Sequence, residues 1–158
     1  MRAFFMVVIT VEVAMDNQTK TVPVSIGLLV LRVGTGALLL SHGLPKLRQV
    51  LGGDWEFMDP IGLGPQLSLI GSMGAEFICA LLVIAGLLTR VASIPVIFNF
   101  IVAAFIFHAS DPWPAPEMAM LYGVAFLTLA FTGGGRFSLD HLIVGRIRNR
   151  KQSRSGET

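Results

Sequence analysis

Apolar positions fall into four long runs separated by short polar or proline- and glycine-rich stretches. Val24 to Leu40 gives 17 residues with one charge, Arg32. Leu67 to Leu88 gives 22 with one charge, Glu76, and Val91 to Phe107 gives 17 with none. Met118 to Thr132 gives 15 uncharged residues and extends through glycines to Gly135. A helix that crosses a bilayer needs about 20 mostly apolar residues, with a range of about 17–25. A soluble helix keeps a polar face, and Val91–Phe107 offers only Ser93 and Asn99 as polar positions. The pattern predicts an all-α integral membrane four-helix bundle with spans at about 24–42, 67–88, 91–108 and 117–133.

Punctuation supports these limits. Pro23 precedes the first span, and Gly43 and Pro45 follow it. Thr89 and Arg90 form a very short turn, so spans two and three are antiparallel neighbours. Pro112, Pro114 and Pro116 interrupt the chain before span four, and Gly133–Gly135 end it, as glycine commonly does at a helix C-terminus. Pro95 lies in the first turns of span three, where a missing N–H costs little.

Composition narrows the class. Of the 158 residues, 53 % are hydrophobic and 14 % charged, against about 25 % charged in an average soluble domain. Mean hydropathy is +0.71. Disorder needs the opposite balance, and one cysteine, Cys79, excludes a disulfide scaffold. The net charge of +2 calls for no nucleic-acid partner. The partner that composition demands is the lipid bilayer.

Lysine and arginine set the orientation. With both termini cytoplasmic, Arg2, Lys20, Arg90, Arg136, Arg146, Arg148, Arg150, Lys151 and Arg154 lie inside, and only Lys46 and Arg48 outside. The connection from His108 to Glu117 carries neither. Trp55 and Trp113 fall in the two outer connections, as an aromatic belt would place them.

The flanks read differently. Phe4 to Val13 follows Arg2 and is apolar apart from Thr10 and Glu12, but no clean cleavage site follows. Residues 1–22 are therefore read as an N-terminal extension, and 23–145 as the four-helix domain. Beyond Ser138, which can cap a helix, Leu139, Leu142, Ile143 and Ile147 recur at helical spacing. They predict a short amphipathic C-terminal helix at the interface, and residues 146–158 form a basic polar tail.

Candidate chemistry rests on the polar residues the spans enclose. A charge at mid-span costs about 2.5–3.5 kcal/mol on insertion scales. Arg32 lies nine residues before Ser41, and Glu76 nine after Leu67. Both then sit about 13 Å below the outer surface at 1.5 Å per residue. The expectation is an Arg32–Glu76 pair, either a structural ion pair that fixes register or a site for protons or anions. His42, Lys46, His108 and Glu117 gather near the outer mouth as ligand- or proton-handling candidates. They carry no metal signature such as HExxH, and no metal is expected. Cys79, one turn from Glu76 and without a second cysteine, reads as a small hydrophobe.

At these residues the chain resembles the DoxX family of small four-helix bacterial membrane proteins. Leu31-Arg32-Val33-Gly34 followed by Ser41-His42-Gly43-Leu44-Pro45-Lys46-Leu47 is similar to the family's arginine-bearing first helix and its HGxxKL end. Gly74-Ala75-Glu76-Phe77 and Ile84-Ala85-Gly86-Leu87-Leu88-Thr89-Arg90 are similar to its glutamate helix and the turn after it. His108 and Gly133-Gly134-Gly135-Arg136-Phe137-Ser138-Leu139-Asp140 complete the match over residues 24–145. The resemblance implies a multi-pass protein of the bacterial inner membrane, with some members linked to redox work. These include a subunit of a thiosulfate:quinone oxidoreductase, a membrane partner in an oxidative-stress assembly, and proteins beside aromatic-compound catabolism. The sequence holds no intrinsic redox cofactor. Electron chemistry would need a bound quinone or a soluble or membrane redox partner protein. The expectation is thus the membrane component of an oxidoreductase system. A small-molecule transporter, which would need a homo-oligomer to widen its path, and a membrane scaffold are the alternatives.

Overall fold

The computed structural model describes residues 22–145, and these form five helices and no strand. The expected extension up to residue 21 and the basic tail from 146 lie outside the described residues. Helix α1 runs Val22–Leu51, α2 Pro65–Ala85, α3 Thr89–Phe107 and α4 Ala115–Thr132. All four are long and apolar enough to cross a membrane. A fifth helix, α5, begins at residue 139 and continues to the last described residue, 145. Ser138 caps it as expected: its Oγ accepts from the His141 amide at 3.2 Å.

Helix α1 departs from expectation by running nine residues past His42. Gly43 and Pro45 read as a stop but lie inside the helix. Each has a local reason to be there. Gly43 is the point of closest approach to α2: a Cβ on it would meet the Glu76 carbonyl carbon and oxygen at 2.5 Å. Pro45 withholds one N–H from the ladder, and the helix continues past it to Leu51. Gly36, seven residues earlier, faces Ile84 and Ala80 in the same way. These contacts fix the antiparallel register of α1 and α2.

The turn between α2 and α3 also differs slightly, since Thr89 and Arg90 belong to α3. Gly86 ends α2 with φ 72°, a left-handed conformation that costs glycine nothing. Leu88 follows at φ 50°, a strained setting for a branched residue. The Asp140 carboxylate holds it there, accepting from the amides of Leu88 (2.7 Å) and Thr89 (3.0 Å) and from the Thr89 hydroxyl (3.2 Å). A residue 51 positions away thus caps α3.

The two halves of the bundle are packed differently. Toward the Val22 end, Leu39, Val83, Val96, Phe126 and Leu129 are fully buried and fill the interior. Toward the Trp55 end Leu69 is fully buried, but the other buried hydrophobic positions are Ala75, Ala104 and Ala119, with Phe100. Small side chains leave volume there, and the loop of residues 52–64 folds over it. Outward-facing positions such as Val30, Leu38, Leu121 and Phe131 are more than 60 % exposed. Such an apolar surface would drive aggregation in water, and in lipid it is the solvated face.

Candidate functional site

The volume left at the Trp55 end is a cavity of about 520 Å³, lined by all four spans and by the loop of residues 52–64. Its polar wall is built around Glu76. This carboxylate is 5 % exposed and sits in a π-helical turn, Gly74–Cys79, within α2. Such turns widen a helix by one residue and often mark functional sites. A second one, Ala103–Phe107, lies in α3 directly before His108. Ala103, Phe107 and His108 all line the same cavity.

Lys46 of α1 forms an ion pair with Glu76 Oε2. Asn99 of α3 donates to Glu76 Oε1 at 2.9 Å, and the Ser72 hydroxyl donates to the same oxygen at 3.2 Å. A buried carboxylate is tolerable when its charge is balanced and its lone pairs are satisfied. Here three donors from three helices do both. Lys46 is the more accessible partner, with 20 % of its side chain exposed, and its ammonium lies 5.9 Å from the centre of the Phe57 ring in the covering loop.

Arg32 is not part of this group, so the expected Arg32–Glu76 pair is corrected. Gly43, not Arg32, lies level with Glu76. The two differ by eleven residues, about 16 Å along the helix. Equal depth would require α1 to end at Ser41, whereas the helix continues to Leu51. Arg32 instead reaches the opposite end of the bundle. Its Nη1 donates to Gly134 O at 3.1 Å and its Nη2 to Phe137 O at 2.8 Å. Gly86 leaves the space it fills, because a Cβ there would stand 1.9 Å from Nη1. The glycine-rich stretch after α4 is thus a socket for the guanidinium.

Of the other candidates, His42, Lys46 and His108 line the cavity with Glu76, and Glu117 does not. The His42 ring stands edge-on to Tyr122 of α4, with centroids 6.1 Å apart, and Tyr122 stacks on Phe100 at 4.9 Å. His108 Nδ1 lies 2.7 Å from an Asp111 carboxylate oxygen. Glu117 occupies the exposed first turn of α4. Lys46, expected beyond the end of the first span, lies within α1. Among the described residues no three of His, Cys, Asp and Glu come together as metal ligands.

Sequence reasoning missed Ser72, Asn99 and Tyr122 at the cavity and Asp140 at the opposite end. Asn99 had a signal: it is one of two polar residues in an otherwise apolar span. Asp140 had one in the resemblance, as the last residue of the matched C-terminal motif. Ser72 and Tyr122 are ordinary residues for a span, and only the fold brings them to the cavity.

Outside the spans, Asp59 organises the covering loop. Its carboxylate accepts from the amides of Leu63 (2.9 Å) and Gly64 (2.7 Å) and from the Ser68 hydroxyl (2.8 Å). Desolvation works to raise its pKa, but these hydrogen bonds outweigh it and hold the pKa below the ordinary carboxylate value.

The comparisons agree with this architecture. The DoxX family model matches residues 27–109. An uncharacterized membrane protein of Mycobacterium tuberculosis is 30 % identical over 143 aligned residues, covering 73 % of this chain and 80 % of the relative. No solved structure matches the chain.

Proposed function

The chain belongs to the DoxX family of membrane proteins, and from that premise we propose that it is the membrane component of a quinone-linked oxidoreductase system in a bacterial inner membrane. The observation that carries this reading is the Lys46–Glu76–Asn99–Ser72 cluster on the wall of a mostly apolar cavity. Small-molecule sites are typically concave, about 300–1,000 Å³, and apolar with a few converging polar groups. The donor set suits a flat ring with carbonyl oxygens. Phe100, Phe107 and Tyr122 offer aromatic faces, while the Lys46 ammonium and the Asn99 amide are donors that can turn toward an acceptor.

When bound, a quinone supplies the electron chemistry that this sequence lacks. The chain's own part is binding and proton management. Lys46 places a positive charge where an oxygen would gain electron density. Glu76, already hydrogen-bonded by neutral donors, can hold a proton that leaves or reaches that oxygen. Asn99 and Ser72 keep the carboxylate oriented through the exchange. The packed half between Arg32 and the cavity floor favours binding over passage of a solute through the bundle. Electrons would arrive from a redox partner protein. The excess of Lys and Arg puts the Val22 end on the cytoplasmic side and the cavity toward the outer face.

The test is quinone binding to the purified protein in lipid nanodiscs, followed through quenching of Trp55 and Trp113. Saturable binding that Glu76→Gln weakens by about tenfold or more, roughly 1.4 kcal/mol, is the expected result. Binding that is absent in the native protein, alone and with co-purified partners, sinks the reading.

A further inference from the structure

The cavity is not closed equally on its four sides. The α1/α2 seam is sealed by Gly43 packed on the Glu76 backbone and Gly36 on Ile84. The α1/α4 seam is bridged by the His42–Tyr122 ring contact, and α3 and α4 are joined by the Phe100–Tyr122 stack. The end facing residues 52–64 is roofed by the loop that Asp59 staples. The α2/α3 seam is tied at Glu76, where Asn99 donates across it at 2.9 Å, and differs beyond that point. Pro65–Met73 of α2 packs on α1, and α3 meets α2 mainly from Gly74 onward. The two helices therefore splay over the part of the cavity between Pro65 and Met73.

The edges of that splay are apolar and open. Leu67 and Gly71 on α2, and Phe98 and Val102 on α3, all line the cavity. Leu67 is 61 % and Phe98 58 % exposed on the face that meets lipid. Nothing lies within 4 Å of a Cβ built on Gly71, so this glycine serves no helix contact. It marks a gap.

We infer that this gap is a lateral portal through which a tailed amphiphile enters the cavity from the bilayer. The polar ring reaches the Lys46–Glu76 wall, and the hydrocarbon tail stays between Gly71 and Phe98 in the lipid. The inference rests on the proposed quinone-binding function and adds the route and the ligand class: a lipid-resident ring compound with a tail, not a water-soluble one. The chemistry supports this. A free ring from water would have to pass the stapled roof, whereas the portal edges match a hydrocarbon chain.

Gly71→Phe puts a ring in the gap, and its Cβ meets nothing within 4 Å. Gly34→Phe is the matched control, since Gly34 is exposed on α1, away from the cavity, and also has nothing within 4 Å of its Cβ. Association of a decyl-tailed benzoquinone and of the same ring without a tail is followed in nanodiscs by stopped-flow quenching of Trp55 and Trp113. Gly71→Phe is expected to slow association of the tailed compound by about tenfold or more. The tailless ring and the Gly34→Phe control are expected to be unaffected. If the native protein binds both compounds and Gly71→Phe changes neither, or slows both alike, the portal is overturned while the binding site stands. If the native protein binds neither, the proposed function falls and the portal with it. Unchanged affinity for the tailless ring also reports that Gly71→Phe has folded.

Discussion

Arg32 and Lys46 sit fourteen residues apart on nearly the same face of α1, and the protein treats these two enclosed cations in opposite ways. Arg32 is 2 % exposed and its Nη1 and Nη2 donate to backbone carbonyls, Gly134 O and Phe137 O. Its neighbours are glycines that could not be larger without displacing it. That socket leaves no room for a guest. Lys46 meets a carboxylate held by two movable neutral side chains and faces a cavity. A charge fixed by backbone carbonyls holds a loop to a helix. A charge balanced by side chains beside empty volume can exchange partners. The pair separates structure from chemistry within one helix.

Breaking the closed site has the largest effect. Arg32→Met leaves the Gly134 and Phe137 carbonyls, the first of them buried, without their donor and removes the positive charge near Asp140, so stability falls by about 3–5 kcal/mol, as for other broken buried charge networks. The check is the midpoint of denaturation in mild detergent. Quinone affinity of the remaining folded protein should be unchanged, because the cavity lies about 16 Å along the helix from Arg32. A large loss of affinity with intact stability would reverse the assignment of the two sites.

The open site should show the reverse profile. Glu76→Gln keeps the shape and one acceptor but strands the Lys46 charge. The cost is about 1.5–3 kcal/mol, toward the low end because part of Lys46 still meets solvent. Ligand binding should suffer more than folding does. Replacing both partners, Lys46→Met with Glu76→Met, sharpens the contrast. Exchange of a buried ion pair for apolar groups of similar size is often neutral or stabilising. The double variant should therefore regain most of the stability lost by Glu76→Gln while binding no quinone. Recovery of both properties would make the cluster a structural pair like Arg32.

How much of this was legible beforehand follows from the same contrast. The four spans could be read because run length and the scarcity of charge are properties of single segments. The short C-terminal helix and its Ser138 cap were legible for the same reason. The pairing of charges was not. It depended on the vertical register of α1 against α2, and Gly43 and Pro45 looked like an end. A glycine at close helix contact and a proline inside a long packed helix use the same letters as a stop signal. Only the partner helix distinguishes them: Glu76 presents its backbone to Gly43. Lys46 and Glu76 were both named as candidates, but the eleven-residue slip assigned Glu76 the wrong cation. The portal at Gly71 had no signal of its own, since a glycine there fits close helix packing as well as a gap.

The smallest effect concerns the roof of the open site and its dependence on pH. The Asp59 carboxylate is held in its charged form by the Leu63 and Gly64 amides and the Ser68 hydroxyl, so its pKa in the folded protein is depressed. A group of this sign contributes its stability above its unfolded pKa and loses it as pH falls through the lower folded value. At neutral pH the loop of residues 52–64 should therefore be fully stapled, and it should loosen only below the ordinary carboxylate range, about pH 4. Trp55 lies in this loop, so its fluorescence anisotropy reads the change, with Trp113→Phe removing the second signal. Asp59→Asn should give the loosened anisotropy already at pH 7 and lose the pH response. Global stability should be nearly unchanged, because Asp59 bonds only the covering loop and the first turn of α2. If the roof is loosened in this way, the tailless quinone should gain a second route into the cavity and associate faster, while the tailed compound continues to enter at Gly71. Equal acceleration of both would mean that the roof, and not the α2/α3 seam, governs access to the Lys46–Glu76 wall.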